Sequence, residues 1–267
     1  MSDEAAKRRA VLNHSGVIDA RTLADSHKRL AELIRPGMRV LDIGCGTGAI
    51  TRGIAEITGP EGLVIGIDNN PDWIAKARAE MQGTAGISFE VGDIYDLPLE
   101  QQFDIVTSAR VLQWLSRPYT AIEQMVKRVR SGGKLLILDY NHHRIEWSPP
   151  IPSSMQSFYN AFLSWRSDAG MDNEMADHLA ELMERTGELN DIVSLSQLEF
   201  TQRQDPDFIH KALIWAEVAD FKGKQMVQDG YISEQDRARA ERDYRLWVQS
   251  QGEYQQMYLQ SVEATKI

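Results

Sequence analysis

The chain reads as an α/β protein on an open, doubly wound parallel sheet, and three features of its first half predict this. Short apolar runs rich in β-branched residues recur: "MRVLDIG", "GLVIGID", "ISFEVGD", "FDIVTSA" and "GKLLILDY". Runs of that length suit strands buried on both faces. Helical stretches separate them at Ile50 to Thr58, Pro71 to Gln82 and Ala121 to Arg130. Strand–helix–strand units of this kind are right-handed and build a parallel sheet. The third feature is a glycine-rich turn, "DIGCGTGAI", directly after the first strand. Ligands of doubly wound sheets sit at such turns.

Each element has its own signal. "DARTLADSHKRLAELIRPG" puts Leu23, His27, Leu30 and Ile34 on one helical face and stops at Pro36-Gly37. The helix before the fifth strand carries an apolar stripe of Ile122, Met125, Val126 and Val129. After Tyr140, "HHRIEWSPPIPSS" breaks the alternation with prolines, and a helical aromatic region follows. It holds Met155, Phe158, Phe162 and Trp165, then Met175, Leu179 and Leu182. "DIVSLSQLEFTQ" reads as a strand. Asp205-Pro206 offers an N-cap and a first-turn proline for a helix with Ile209, Leu213 and Ala216. Ser233 with Asp236 opens another helix towards Trp247. In "EYQQMYLQSVEATK", Tyr254, Gln256 and Tyr258 alternate with Gln255, Met257 and Leu259, as in a strand.

Composition limits the partners. The 267 residues carry a formal charge of −10, which stands against a nucleic-acid binder. The single cysteine, Cys45, allows no intramolecular disulfide and suits a reducing compartment. "MSDEAAKRRAVLNHSG" lacks the apolar core of a signal peptide, and no apolar run is long enough to span a bilayer, so a cytoplasmic protein is expected.

The glycine turn admits two readings. Gly44, Gly46 and Ala49 fit the dinucleotide spacing, whereas Gly44, Gly46 and Gly48 fit a G-x-G-x-G turn. A pyrophosphate at this turn would meet the carboxylate of Asp42 two residues before the first glycine. An ammonium or sulfonium group would be attracted by it. Asp68 ends the second strand, where an acid can accept from both hydroxyls of a ribose. Asp93 follows the third strand, where an acid can accept from an adenine amino group, with the Ile94 amide beside it.

With these acids in place, the chain resembles the class I S-adenosylmethionine-dependent methyltransferases. "VLDIGCGTG", "VIGIDNNPDWIAKAR", "VGDIYDLP", "FDIVTSARVLQWL" and "KRVRSGGKLLILDY" are similar to their successive motifs, in order, from about Arg35 to Tyr140. "ITGPEGLVIGID" and "RSGGKLLILD" are most similar to the ubiquinone/menaquinone biosynthesis branch and related small-molecule methyltransferases. The resemblance implies a Rossmann-like, seven-stranded, mostly parallel sheet with an antiparallel last strand. The helical stretches Pro149 to Asn190 and Asp205 to Ser250 exceed a minimal core and read as lid insertions, so the chain divides into an N-terminal helical cap (1–35), a cofactor-binding core (36–145) and a helical lid (146–191). Residues 192–267 then supply the sixth strand, further helices and the last strand.

The same resemblance implies S-adenosyl-L-methionine as cofactor, S-adenosyl-L-homocysteine as product, and binding by Asp42, Gly44, Cys45, Gly46, Asp68, Asn69, Asp93, Ile94 and Arg110. Gly44 and Gly46 would line the methionine moiety and Asp42 its amino group. Asp68 would hold the ribose, Asp93 and Ile94 the adenine, and Arg110 would lie at the methionine end. Asn13, His14 and Arg21 would fold over the cofactor. Many relatives have His-His where this chain has Gln113-Trp114. The Asn/Asp-Pro-Pro-aromatic tetrapeptide of amino-methylating nucleic-acid enzymes is replaced by "SARV".

Methyl transfer from a sulfonium needs alignment and exclusion of water, and a base only for a protonated nucleophile. Tyr140 and His142, just past the fifth strand, are the candidate bases, with His143 beside them as a solvated loop residue. No metal site is expected. Phe158, Phe162 and Trp165 are either core or a stacking surface for a small, flat or apolar acceptor. A nucleic-acid or protein acceptor, a catalytically silent cofactor-binding module and a nicotinamide dehydrogenase are the rival readings. Monomer and homodimer both stay open.

Overall fold

In the computed structural model, residues 2–10, 19 and 21–267 are described. The five apolar runs become β1 (Arg39–Ile43), β2 (Leu63–Asp68), β3 (Ile87–Val91), β4 (Phe103–Ala109) and β5 (Val129–Ser148). Two later strands, β6 (Leu189–Gln202) and β7 (Tyr254–Lys266), complete one sheet of order β3-β2-β1-β4-β5-β7-β6. The first five strands pair in parallel. β7 lies antiparallel between β5 and β6. The order reverses beside β1, so the carboxyl ends of β1 and β4 flank a crevice.

Helices cover both faces. On one side α2 (Leu23–Ser26), α3 (Lys28–Leu33), α4 (Ala49–Thr58) and α5 (Pro71–Glu80) bury Leu23, Leu30, Ile54 and Ile74 against apolar residues of the sheet. On the other side, α6 (Pro118–Arg128) and α8 (Met175–Glu184) pack Ile122, Met125, Met175 and Leu179 onto Leu41, Val106 and Ile137. A second, aromatic core joins α7 (Ser153–Asp168) to α9 (Phe208–Ala212), α10 (Ile214–Gln228) and α11 (Glu234–Ser250). The N-terminal α1 (Ser2–Ala10) contacts α7 and the 3-10 turn at Leu112–Trp114. No helix among the described residues is long and apolar enough to cross a membrane.

Several elements depart from the sequence reading. The first amphipathic face is split into α2 and α3 at His27, whose backbone leaves the helical region while its ring turns inward to Thr107 Oγ1 at 3.0 Å. The stripe before β5 ends its helix at Arg128, and Val129 is already strand. β5 runs on through His142 and His143 to Ser148, because β7 is long enough to pair with that extension beyond an irregularity between Asn141 and Glu146. Asp205 does not cap a helix: its Oδ2 accepts the Gln202 N–H at 2.9 Å, and α9 begins only at Phe208. The Ser233 cap is as expected, its Oγ accepting the Asp236 N–H at 3.1 Å. Within 146–191, α8 lies on the sheet, and α7 also touches it, Tyr159 Oη donating to His142 O of β5 at 2.6 Å.

Candidate cofactor and acceptor site

Gly44, Gly46 and Gly48 all adopt left-handed backbone, with φ of 75°, 58° and 82°, whereas Ala49 opens α4. A Cβ at Gly44 would stand 2.2 Å from Val111 Cγ2. The turn's amides are committed to β2. The N–H groups of Gly44 and Cys45 donate to Ile67 O at 2.7 and 3.0 Å, and Gly46 N–H donates to Asp68 Oδ2 at 2.9 Å. A diphosphate cradle needs such donors free. The geometry therefore favours the G-x-G-x-G reading.

Asp68 is held at the end of β2, its Oδ1 accepting the Asn70 N–H at 2.9 Å. Burial raises its pKa while these backbone donors lower it, and the net direction is up. Asn70 caps α5 by accepting from the Asp72 and Trp73 amides. After β3, exposed Asp93 accepts the Tyr95 N–H at 2.9 Å, and Ile94 is buried beside it. After β4, Arg110 adopts a left-handed φ of 63°. Its Nε donates to Tyr140 Oη at 2.8 Å, and its Nη2 donates to Ser26 O at 3.0 Å and to Glu199. Its Nη1 is buried without a partner. Burial works against the guanidinium charge, but Glu199 and Tyr140 outweigh it, so the net shift is upward.

These groups border one cavity of about 570 Å³. Of the expected residues, Gly44, Gly46, Asp68, Asn69, Asp93, Ile94 and Arg110 line it. Asp42 does not. Its carboxylate lies behind the turn, accepting from Thr51 Oγ1 at 2.6 Å, and burial, with Asp68 adding, pushes its pKa to about 6. The Cys45 side chain also points away, into a small core with Ile74 and Phe89.

Tyr140 and His142 are likewise not on the wall. The Tyr140 hydroxyl is taken by Arg110 and Glu199, and burial raises its pKa. His142 sits in the aromatic core, Nε2 bonded to Gln113 Oε1 at 2.6 Å, and burial holds it well below its ordinary pKa. A strand continuing past Tyr140 carries both inward instead of releasing them into a loop. His143, on the same strand, is exposed. Phe158, Phe162 and Trp165 are fully buried, with Phe162 stacked on Trp165 and edge-on to Trp215, so they form core.

Sequence reasoning missed much of the remaining wall. Asp3, Ala6 and Lys7 of α1 close it from outside, with Ser116 Oγ donating to Asp3 at 2.8 Å. Trp73, Tyr95 and Trp114 supply its aromatic faces. Arg21 lies on the wall as expected, while Asn13 and His14 fall outside the described residues. The donor set fits an adenosyl amino acid: an acid between two hydrogen-bonded turns for a ribose, an open Arg110 Nη1 for a carboxylate, and Asp93 at the far end for an adenine edge.

The fold is that of an α/β methyltransferase. Residues 34–203 match a family of methyltransferase domains, and the chain belongs to that family, the class I S-adenosylmethionine-dependent methyltransferases. Among curated proteins it is similar to the ubiquinone/menaquinone biosynthesis C-methyltransferase of Ectopseudomonas mendocina. The two are 38% identical over 112 residues, 40% of this chain and 44% of the relative. It is also 35% identical to the trans-aconitate 2-methyltransferase of Streptomyces avermitilis over 119 residues, 43% of this chain and 44% of that one. The chain thus spans less than half the length of these two relatives. Haemonchus contortus phosphoethanolamine N-methyltransferase 2, solved with S-adenosylhomocysteine, shares the fold with a TM-score of 0.56 at 19% identity, covering 98% of this chain and 56% of its own.

Proposed function

We propose that this protein transfers a methyl group from S-adenosylmethionine to a small molecule entering the cavity beside Trp114. The observation that carries the reading is the order of groups along one crevice: the glycine turn, Asp68, Asp93 and Arg110 follow β1, β2, β3 and β4 in turn. Bound there, the cofactor would supply an electrophilic methyl on a cationic sulfur. Asp68 would accept from its ribose hydroxyls, Arg110 and Arg21 would attract its carboxylate, and buried Asp42 would favour its positive end through space. α1 and Trp114 would exclude water. With Tyr140 and His142 off the wall, the residues act by alignment and desolvation.

A flat acceptor face would stack on Trp114, the aromatic ring nearest Arg110 in the chain. The net charge of −10 stands against a polyanionic nucleic-acid acceptor. Buried Cys45, the single cysteine, suits the reducing cytoplasm. Calorimetry with S-adenosylhomocysteine and NADH, followed by a homocysteine-release screen of metabolites, tests the reading. Tight NADH binding with no response to S-adenosylhomocysteine would end it. Cofactor binding without turnover on any acceptor would favour the silent module.

A further inference from the structure

Behind Trp114, on the side of α7, lies a buried cation that the cofactor reading leaves unused. Arg166 is wholly buried, and its guanidinium stands 4.5 Å from the centre of the Trp114 ring and 5.4 Å from that of Phe162. Its Nε donates to Asn173 Oδ1 at 2.7 Å and its Nη2 to Gln113 O at 2.8 Å, but Nη1 has no partner. Among the described residues no carboxylate lies within ion-pair distance of it. Asp139 and Asp172 act on it only through space, and the Asp139 oxygens accept the Gln113 and Tyr140 amides. A second donor without a partner, Trp215 Nε1, belongs to the same cluster, its ring 5.8 Å from that of Phe162. His142 is no substitute counter-ion: its neutral ring leaves Nδ1 an unpartnered acceptor.

A buried charge with an open donor is costly unless a counter-ion answers it. Burial, only partly offset by Asp139, Tyr159 and Asp172, lowers the Arg166 pKa to about 10, in keeping with that cost. We propose that the acceptor is an anion, and that its acidic group displaces the Trp114 ring at the end of the cavity to reach Arg166 Nη1 and Trp215 Nε1. The inference rests on the methyltransferase reading for the word acceptor, while the anion site itself can be tested without turnover.

The test is binding to protein saturated with S-adenosylhomocysteine, using benzoate, phenyl phosphate and the neutral benzamide, followed by calorimetry and by tryptophan fluorescence. One or both anions should bind at least about tenfold tighter than benzamide and change the tryptophan emission. Trp215→Phe removes one donor and keeps an aromatic ring. It should weaken the anion about three- to tenfold while leaving the S-adenosylhomocysteine affinity unchanged, with its unfolding curve measured alongside because a smaller ring leaves a cavity in the core. Arg166→Lys should lose more, with its unfolding curve checked alongside. Whichever of benzoate and phenyl phosphate binds tighter identifies the acid group. Equal binding of benzamide, no binding by either anion, or an unchanged anion preference in Trp215→Phe would overturn the proposal and leave Arg166 Nη1 merely hydrated. If S-adenosylhomocysteine itself does not bind, the functional reading fails first, and the same probes on ligand-free protein still decide the anion site.

Discussion

Replacing Asp42 by asparagine should make the ligand-free protein more stable above neutrality, and the gain should vanish in acid. Asp42 is buried behind the glycine turn with one hydroxyl partner, Thr51 Oγ1, and a second acid, Asp68, nearby. Its folded pKa is about 6 against an ordinary 3.8. Below 3.8 both states are protonated and nothing is lost. Between 3.8 and about 6 the folded protein keeps a proton that the unfolded chain has released, so stability falls as pH rises through that window. Above it the full difference applies, about 3 kcal/mol at roughly 1.36 kcal/mol per pH unit. The substituted amide can still accept from Thr51 but must bury its own N–H donors, which offsets roughly 1 kcal/mol. A net gain of about 2 kcal/mol is expected near pH 8. Urea unfolding of both proteins from about pH 4 to about pH 8 measures it. The same variant should lose part of its preference for cationic S-adenosylmethionine over S-adenosylhomocysteine, whose sulfur is neutral. If Asp42→Asn is less stable than the parent above neutrality, or follows the same pH slope, the electrostatic account of the turn is wrong.

Three further outcomes follow from the site. Asp68→Ala should weaken S-adenosylhomocysteine binding by about 2–4 kcal/mol, since hydrogen bonds to a charged acceptor are the stronger kind, and an unchanged calorimetric Kd would remove Asp68 from the ribose site. Gly44→Ala should cost roughly 2–4 kcal/mol by combining left-handed strain with the clash on Val111. The double variant Gly44→Ala/Val111→Ala should recover the steric part in thermal unfolding, and strict additivity would disprove the contact. The double variant Ser116→Ala/Arg117→Ala, which removes both donors to Asp3 of α1, should raise the dissociation rate of S-adenosylhomocysteine several-fold in stopped flow with stability nearly unchanged. An unaltered rate would mean that α1 is no gate.

The fold was legible because each parallel strand announces itself as an apolar run and each crossover helix as a stripe. Asp68, Asp93 and Arg110 were placed at the carboxyl edge for a related reason: each lies at or just past the carboxyl end of a parallel strand. Asp42 and Cys45 lie within or against that edge, where alternation turns the side chain inward, so their letters matched the motif while their side chains did not reach the cavity. Tyr140 and His142 were read as loop residues and lie instead on a strand, because the end of β5 is set by its partner β7, more than a hundred residues on, and a local reading cannot see that pairing. α1 was hidden for the opposite reason. "SDEAAKRRA" is polar, and its inward face mixes small Ala6 with charged Asp3, Lys7 and buried Arg9, so no apolar stripe marks it. The rings of α7 were ambiguous as letters, and their contacts with α10 decide for core.

Unfavourable local features gather at the same edge that the ligand would occupy. Asp42 and Asp139 are acids held at about 6, Arg110 sits in left-handed backbone, and Arg166 is a cation lowered to about 10. Arg29 with Glu263 and Arg237 with Glu234, by contrast, are direct ion pairs in which the buried Glu263 and Arg237 each meet a more exposed partner. A chain shaped for folding alone would place well-packed apolar residues where these groups are. Local conflict of this kind marks sites where binding restores what folding gives up. Ligands should therefore stabilise this protein in proportion to the charges they answer: a cationic methyl donor for the acids, and an anionic acceptor for Arg166.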